Sequence, residues 1–187
     1  MHSVEVVLDD ESDRWIRRQW TALAEAGVPS QARHSADSRG ESNRPHVTLA
    51  LTSQIDPEVE SRLRDAVGAL PVPITIGGLL VFGSTRFVLA RLVVPNAAVL
   101  ALQAAVMAAL PDGADATVDR HGTFAPGRWT AHITLGRRLT AADVGTAMHA
   151  LAGVPRARGA DGALTRARRW DMVAKREHWL DLHGRPW

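Results

Sequence analysis

The stretch Pro45-His46-Val47-Thr48-Leu49-Ala50 returns 86 positions later as Ala131-His132-Ile133-Thr134-Leu135-Gly136. In an extended strand, successive side chains point to opposite faces. His46, Thr48 and Ala50 therefore share one face and Val47, Leu49 and Leu51 the other, while His132, Thr134 and Gly136 oppose Ile133 and Leu135 in the same way. The apolar face is the one to bury. Each strand is thus expected to offer an imidazole, a hydroxyl and a small residue to a groove.

Working outward, the segments around the two strands also correspond. Ahead of the first lie a strand at Val4 to Leu8, a helix from Asp10 to Ala26 with Ile16, Trp20 and Leu23 on one face, and a polar loop over residues 30–44. After it come a helix capped by Asp56-Pro57, with Val59, Leu63, Val67 and Leu70 inward, and a strand from Val72 to Phe82. The order then starts again. A strand at Phe87 to Val94 leads to a helix from Asn96 to Leu110 with Val99, Leu102 and Val106 inward, then a polar loop and the second motif. Thr140 and Asp143 form a capping box for a helix bearing Val144, Met148 and Leu151, and a strand follows near Thr165 to Val173. The layout predicts an α+β fold with an internal duplication. One domain spans 1–187, with repeats at about 1–82 and 86–174. A C-terminal hairpin at 166–183, turning around Lys175 to Glu177, closes a sheet edge.

A pseudo-twofold axis would bring two imidazoles and two hydroxyls to one point. That set suits a phosphodiester, because in-line displacement at phosphorus needs a base on the attacking side and an acid on the leaving side. Histidine does either near neutral pH. Fixed hydroxyls and a cation stabilise the non-bridging oxygens, and Arg137, just beyond the second motif, is the candidate cation. Its charge also biases His132 toward the neutral form that a base needs, which points to His132 as the base and His46 as the acid. Arg44, two residues before His46, would oppose this if it shares that face. Arg44, Phe124 and Trp129 are candidate substrate contacts, the two aromatics either stacking on a base or packing in the core. His34 and His121 lie in the loops ahead of the two motifs.

Both Arg44 to Ala50 (RPHVTLA) and Trp129 to Arg137 (WTAHITLGR) resemble the paired signature of the 2H phosphoesterase superfamily, in particular its 2'-5' RNA ligase-like, or RNA 2',3'-cyclic phosphodiesterase, branch. Gly77 to Phe82 and the strand from Phe87 extend the likeness. It implies a bilobal, pseudo-twofold duplicated fold, with antiparallel sheets lining a central cleft and helices outside, no metal and no cofactor. It also implies roles for His46, Thr48, His132 and Thr134, and for Arg137 as the arginine that closes the second motif. The implied substrate is an RNA end or nucleotide carrying a 2',3'-cyclic or 2'-5' phosphodiester. Ala131 stands where the family often has proline, and Leu51 ends the first motif where an arginine could stand. A binding module without turnover and a cyclic phosphodiesterase for a small non-RNA metabolite are the competing readings.

Composition narrows the field further. The absence of cysteine removes thiol nucleophiles, disulfides and zinc-thiolate or iron-sulfur sites. The pI near 10.2 overstates basicity, since the net charge is +2 and arginine supplies nearly all the positive charge. Charge is uneven, with 8 basic and 12 acidic residues in 1–70 against 8 and 4 in 155–187. Neither a Walker loop nor a dinucleotide-binding glycine fingerprint occurs, and no carboxylate partners either histidine within its strand to suggest a metal. No run of about 18 apolar residues is present, so the expectation is a cytoplasmic monomer that makes no membrane contact.

Overall fold

The computed structural model describes residues 1–34, 43–111, 123–125, 127–155 and 159–180, with the side chains of 33 and 34 outside the description. The first half runs β1 (His2–Leu8), α1 (Asp10–Glu25), a 3-10 turn (Gln31–His34), β2 (His46–Thr52), α2 (Pro57–Ala66) and β3 (Val72–Phe82). The second runs β4 (Phe87–Val93), α3 (Ala97–Ala109), β5 (His132–Leu139), α4 (Ala141–Ala152) and β6 (Ala160–Asp171), and β7 (Arg176–Trp179) ends the order. The element order β-α-β-α-β therefore occurs twice.

Each helix starts where a short polar side chain satisfies otherwise unbonded N–H groups. Asp9 accepts from Glu11 and Ser12 N, Asp56 from Val59 N at 2.8 Å, and Asn96 from Val99 N at 2.9 Å. Thr140 and Asp143 form the expected reciprocal box. The apolar stripes of α1, α2 and α3 face the core as anticipated, with Ile16, Leu23, Leu63, Val99 and Val106 fully buried. In α4 the expectation needs correction. Ala147 and Leu151 carry the buried stripe and Val144 packs at its margin, while Met148 is 50% exposed, because the helix is turned toward its small residue.

Among the described residues, seven strands form one antiparallel sheet in the order β1-β2-β5-β4-β3-β6-β7. β1 also pairs with β6, so six of the strands make a closed circuit. The length of β6 allows this. Its first part, from Ala160, pairs with β3 and its later part with β1, and Leu164 stands opposite both Val72 and Leu8. The separate sheets expected from sequence are thus two arms of one ladder, because the third strand of each half bonds to the first strand of the other. At the centre β2 and β5 meet through the pair Val47–Ile133, both fully buried. The β6–β7 hairpin turns over residues 172–175, with Lys175 at φ 56°. No described helix is long and apolar enough to cross a membrane.

Candidate active site

The two histidine strands carry the same irregularity. Across β1–β2, Val4 faces Ala50 while the next residue, Glu5, faces Thr48, so Leu49 is an extra residue on β2. Across β4–β5, Leu89 faces Gly136 and Ala90 faces Thr134, so Leu135 is extra on β5. Each His-x-Thr-Leu motif therefore has a bulge at its leucine, a device that re-aims side chains beside functional sites. It also corrects one expectation. Residues opposite each other share a face, so Ala50 and Gly136 turn inward with Val4 and Leu89, and only the histidine and threonine remain on the groove side. At Gly136 a Cβ would lie 2.3 Å from the Pro29 carbonyl oxygen, which requires glycine there.

A bulge loosens the ladder around the threonine carbonyls, and indole donors from elsewhere take them up. Trp129 Nε1 donates to Thr48 O and Trp20 Nε1 to Thr134 O, each at 3.0 Å. Gln103 of α3 donates to Leu49 O at 3.4 Å and to Phe124 O at 2.7 Å. Trp129 and Phe124, read from sequence as base-stacking candidates, are thus half-buried against the core, and Trp129 holds the first motif in place. His121 and residues 35–42 of the first polar loop lie outside the described residues, as does the side chain of His34.

Both imidazoles are anchored identically. His46 Nδ1 bonds the carbonyl oxygen of Arg44 and His132 Nδ1 that of Thr130, each at 2.7 Å. A carbonyl has no proton to give, so each Nδ1 carries the hydrogen and each Nε2 is left for chemistry.

The surroundings of the two rings differ. Glu5 lies opposite Thr48, and its Oε1 is 3.6 Å from His46 Nε2. Arg168 holds the other carboxylate oxygen through Nε at 2.9 Å and Nη2 at 2.8 Å, Ser3 donates to Oε1 at 2.6 Å, and Arg168 Nη1 also reaches Glu177 at 2.7 Å. Burial alone would raise the Glu5 carboxyl, but the charges of His46 and Arg168 and these hydrogen bonds outweigh it and hold it below its usual value. On the other arm the position opposite Thr134 is Ala90, and His132 instead packs against Phe82, ring centroids 4.9 Å apart. Burial lowers the His132 value, helped by the charges of Arg137 and His46 and opposed by the Thr130 hydrogen bond. Arg137 itself is exposed at the end of the strand. Among the described residues no group of three or more His, Asp or Glu side chains is placed to hold a metal ion.

Residues 10–173 match the family model of the 2'-5' RNA ligase superfamily. The chain belongs to that superfamily. No curated protein matches it. Membership supports the 2H phosphoesterase resemblance and places the chemistry in the phosphoesterase or ligase class acting on phosphodiesters. In this superfamily member the groove residue that sequence reading passed over is Glu5. The available signal was one carboxylate in Val4-Glu5-Val6-Val7-Leu8, a strand read only as apolar. Arg168, Arg166 and Trp179 were likewise read only as parts of a C-terminal strand and hairpin. Arg44 does lie beside the groove, its guanidinium 5.9 Å from the Trp179 ring centre.

Proposed function

We propose that the chain is a metal-independent phosphodiesterase acting on a 2',3'-cyclic phosphate or 2'-5' phosphodiester of RNA or nucleotides, with His46 and His132 as its acid and base. The observation that carries this reading is the pair of 2.7 Å bonds from each Nδ1 to the carbonyl two residues earlier. They give two imidazoles the same tautomer and orientation on adjoining strands.

His132 Nε2 takes a proton from water as the water oxygen bonds to phosphorus, and the phosphorus–oxygen bond on the far side breaks. The departing ribose oxygen takes the proton from His46 Nε2. His132 ends protonated and His46 neutral, and exchange with solvent restores both. The direction of these roles follows the surroundings. Burial and Arg137 favour neutral His132, while the Glu5 carboxylate offers an acceptor to a proton on His46 Nε2. The Thr48 and Thr134 hydroxyls and Arg137 stabilise the charge that develops on the non-bridging oxygens. With an alcohol oxygen in place of water, the same forward steps join that alcohol to a cyclic phosphate, and the ring-opened ribose oxygen leaves with the proton from His46.

The test is a panel of 2',3'-cyclic nucleotides and 2'-5'-linked dinucleotides assayed with chelator present throughout. Ring opening or cleavage under chelation is expected. Complete loss on chelation, restored by one metal, would overturn the proposal.

A further inference from the structure

The sheet carries a row of opposed residues away from the catalytic histidine. His46 faces Val7 across β1–β2, and Val7 faces Arg166 across β1–β6. Residues opposed in this way share a face, and strands lie about 4.8 Å apart, so Arg166 starts about 10 Å from His46 along the groove floor. In the next row Thr48, Glu5, Arg168 and Trp179 follow one another across β2, β1, β6 and β7. Val7, Arg166, Trp179, Arg44 and Arg14 line a cavity of about 1030 Å³ beside the histidine.

Two features of this cavity have no part in the proton transfers. The Arg166 guanidinium lies 4.0 Å from the centre of the Trp179 ring, and Arg44 lies 5.9 Å from it. A guanidinium laid over an indole makes a layered platform, and a base can stack on the arginine plane as it does on a ring. Arg44 lines the cavity, so its positive charge is placed where a phosphate can meet it. Arg44 also supplies the carbonyl that anchors His46, so the cavity wall and the catalytic ring are two residues apart on one backbone.

We propose that this cavity is a second nucleotide subsite, which takes the nucleotide next to the reacting one on a single-stranded RNA end; the proposal rests on the phosphodiesterase reading above. The base stacks on the Trp179 platform and the linking phosphate lies along Arg44 and Arg166. The lining also includes Asp9, Asp10, Glu11 and Asp13 at the start of α1, just ahead of Arg14. Asp9 is engaged by Ser12 and by the backbone of Glu11, Ser12 and Ala163, and Asp13 by Arg17. These carboxylates repel the phosphate toward the arginines and offer acceptors to an exocyclic amino group of the base.

The experiment compares a 2',3'-cyclic mononucleotide with a dinucleotide ending in the same cyclic phosphate, in the wild type and in Trp179→Ala, Trp179→Phe and Arg166→Gln. The wild type is expected to favour the dinucleotide in kcat/KM by about tenfold or more. Trp179→Ala and Arg166→Gln should bring the ratio of the two close to one, and Trp179→Phe should restore much of it. A parallel titration of labelled 3'-phosphorylated dinucleotide and mononucleotide, followed by anisotropy, reads the subsite without turnover. If neither cyclic substrate reacts but the dinucleotide binds more tightly and loses that advantage in Trp179→Ala, the phosphodiesterase reading fails and the subsite stands. Equal handling of both lengths by the wild type, or a wild-type ratio retained by a folded Trp179→Ala, overturns the subsite.

Discussion

Glu5 Oε1 stands 3.6 Å from His46 Nε2, and the corresponding place beside the second motif is taken by Ala90, which has no polar side chain. One substitution between equivalent strands thus separates two histidines that their own motifs make alike. Glu5→Gln keeps the shape and removes the charge. On a substrate whose leaving oxygen needs a proton, kcat is then expected to fall by about tenfold, while an activated aryl phosphodiester is turned over at nearly the wild-type rate. An equal loss on both substrates in a folded Glu5→Gln protein would reduce Glu5 to a structural partner of Arg168.

The same carboxylate makes stability depend on pH. Its folded value lies below the ordinary 4.5, so its contribution is present above 4.5 and is lost as the pH falls through the folded value. His132 is also held below its ordinary 6.5, so a second loss begins as the pH falls below about 6.5. Denaturant midpoints measured from pH 8 down to pH 3 should show both declines. Glu5→Gln should be less stable at pH 7 and show a flatter acid decline, and an acid decline as steep as that of the wild type would contradict the assignment.

Removal of either imidazole should cost turnover without costing the fold, because both rings are only half-buried at the groove. His46→Ala and His132→Ala should each lose about 10²–10⁴ in kcat, with melting temperatures close to the wild type. On an activated aryl phosphodiester, whose leaving group needs no proton, His46→Ala should retain much of the wild-type rate while His132→Ala stays impaired. The reverse pattern would exchange the two roles.

Arg137 offers a separate handle on His132. Burial is the leading reason that His132 is held low, and the Arg137 charge adds to it. Arg137→Gln should move the acid limb of kcat/KM to higher pH and lower the plateau. A limb that stays in place would show that the exposed guanidinium does not reach the ring.

The bulges need their indole donors. Trp20→Phe and Trp129→Phe keep an aromatic in place and remove the N–H groups that satisfy Thr134 O and Thr48 O. Each should lower stability by about 1–3 kcal/mol by urea titration, with a loss of rate beyond that explained by unfolding. A wild-type rate in a destabilised Trp129→Phe would make that bond a matter of folding alone.

The element order, the helix caps and the duplicated motif were legible because they depend on residues near one another in the chain. Asp56-Pro57, Asn96 and the Thr140–Asp143 box mark helix starts by local hydrogen bonding, and alternation places His46 with Thr48. Alternation failed at Ala50 and Gly136. A bulge is a mismatch of count between two strands, and neither strand alone records it.

By itself, then, the sequence determined what short-range physics and repetition determine: two strand-helix units of one kind, two His-x-Thr pairs and an interior free of cysteine chemistry. Tertiary structure decided which residues face those pairs. Glu5 and Arg168 lie 163 positions apart, and the exchange of third strands between the halves, together with the reach of β6 to both β3 and β1, makes them neighbours under His46. The pairing of distant strands is set by burial of the whole apolar surface at once. The difference between the surroundings of His46 and His132 is a product of that packing, and the repeated motif carries no sign of it.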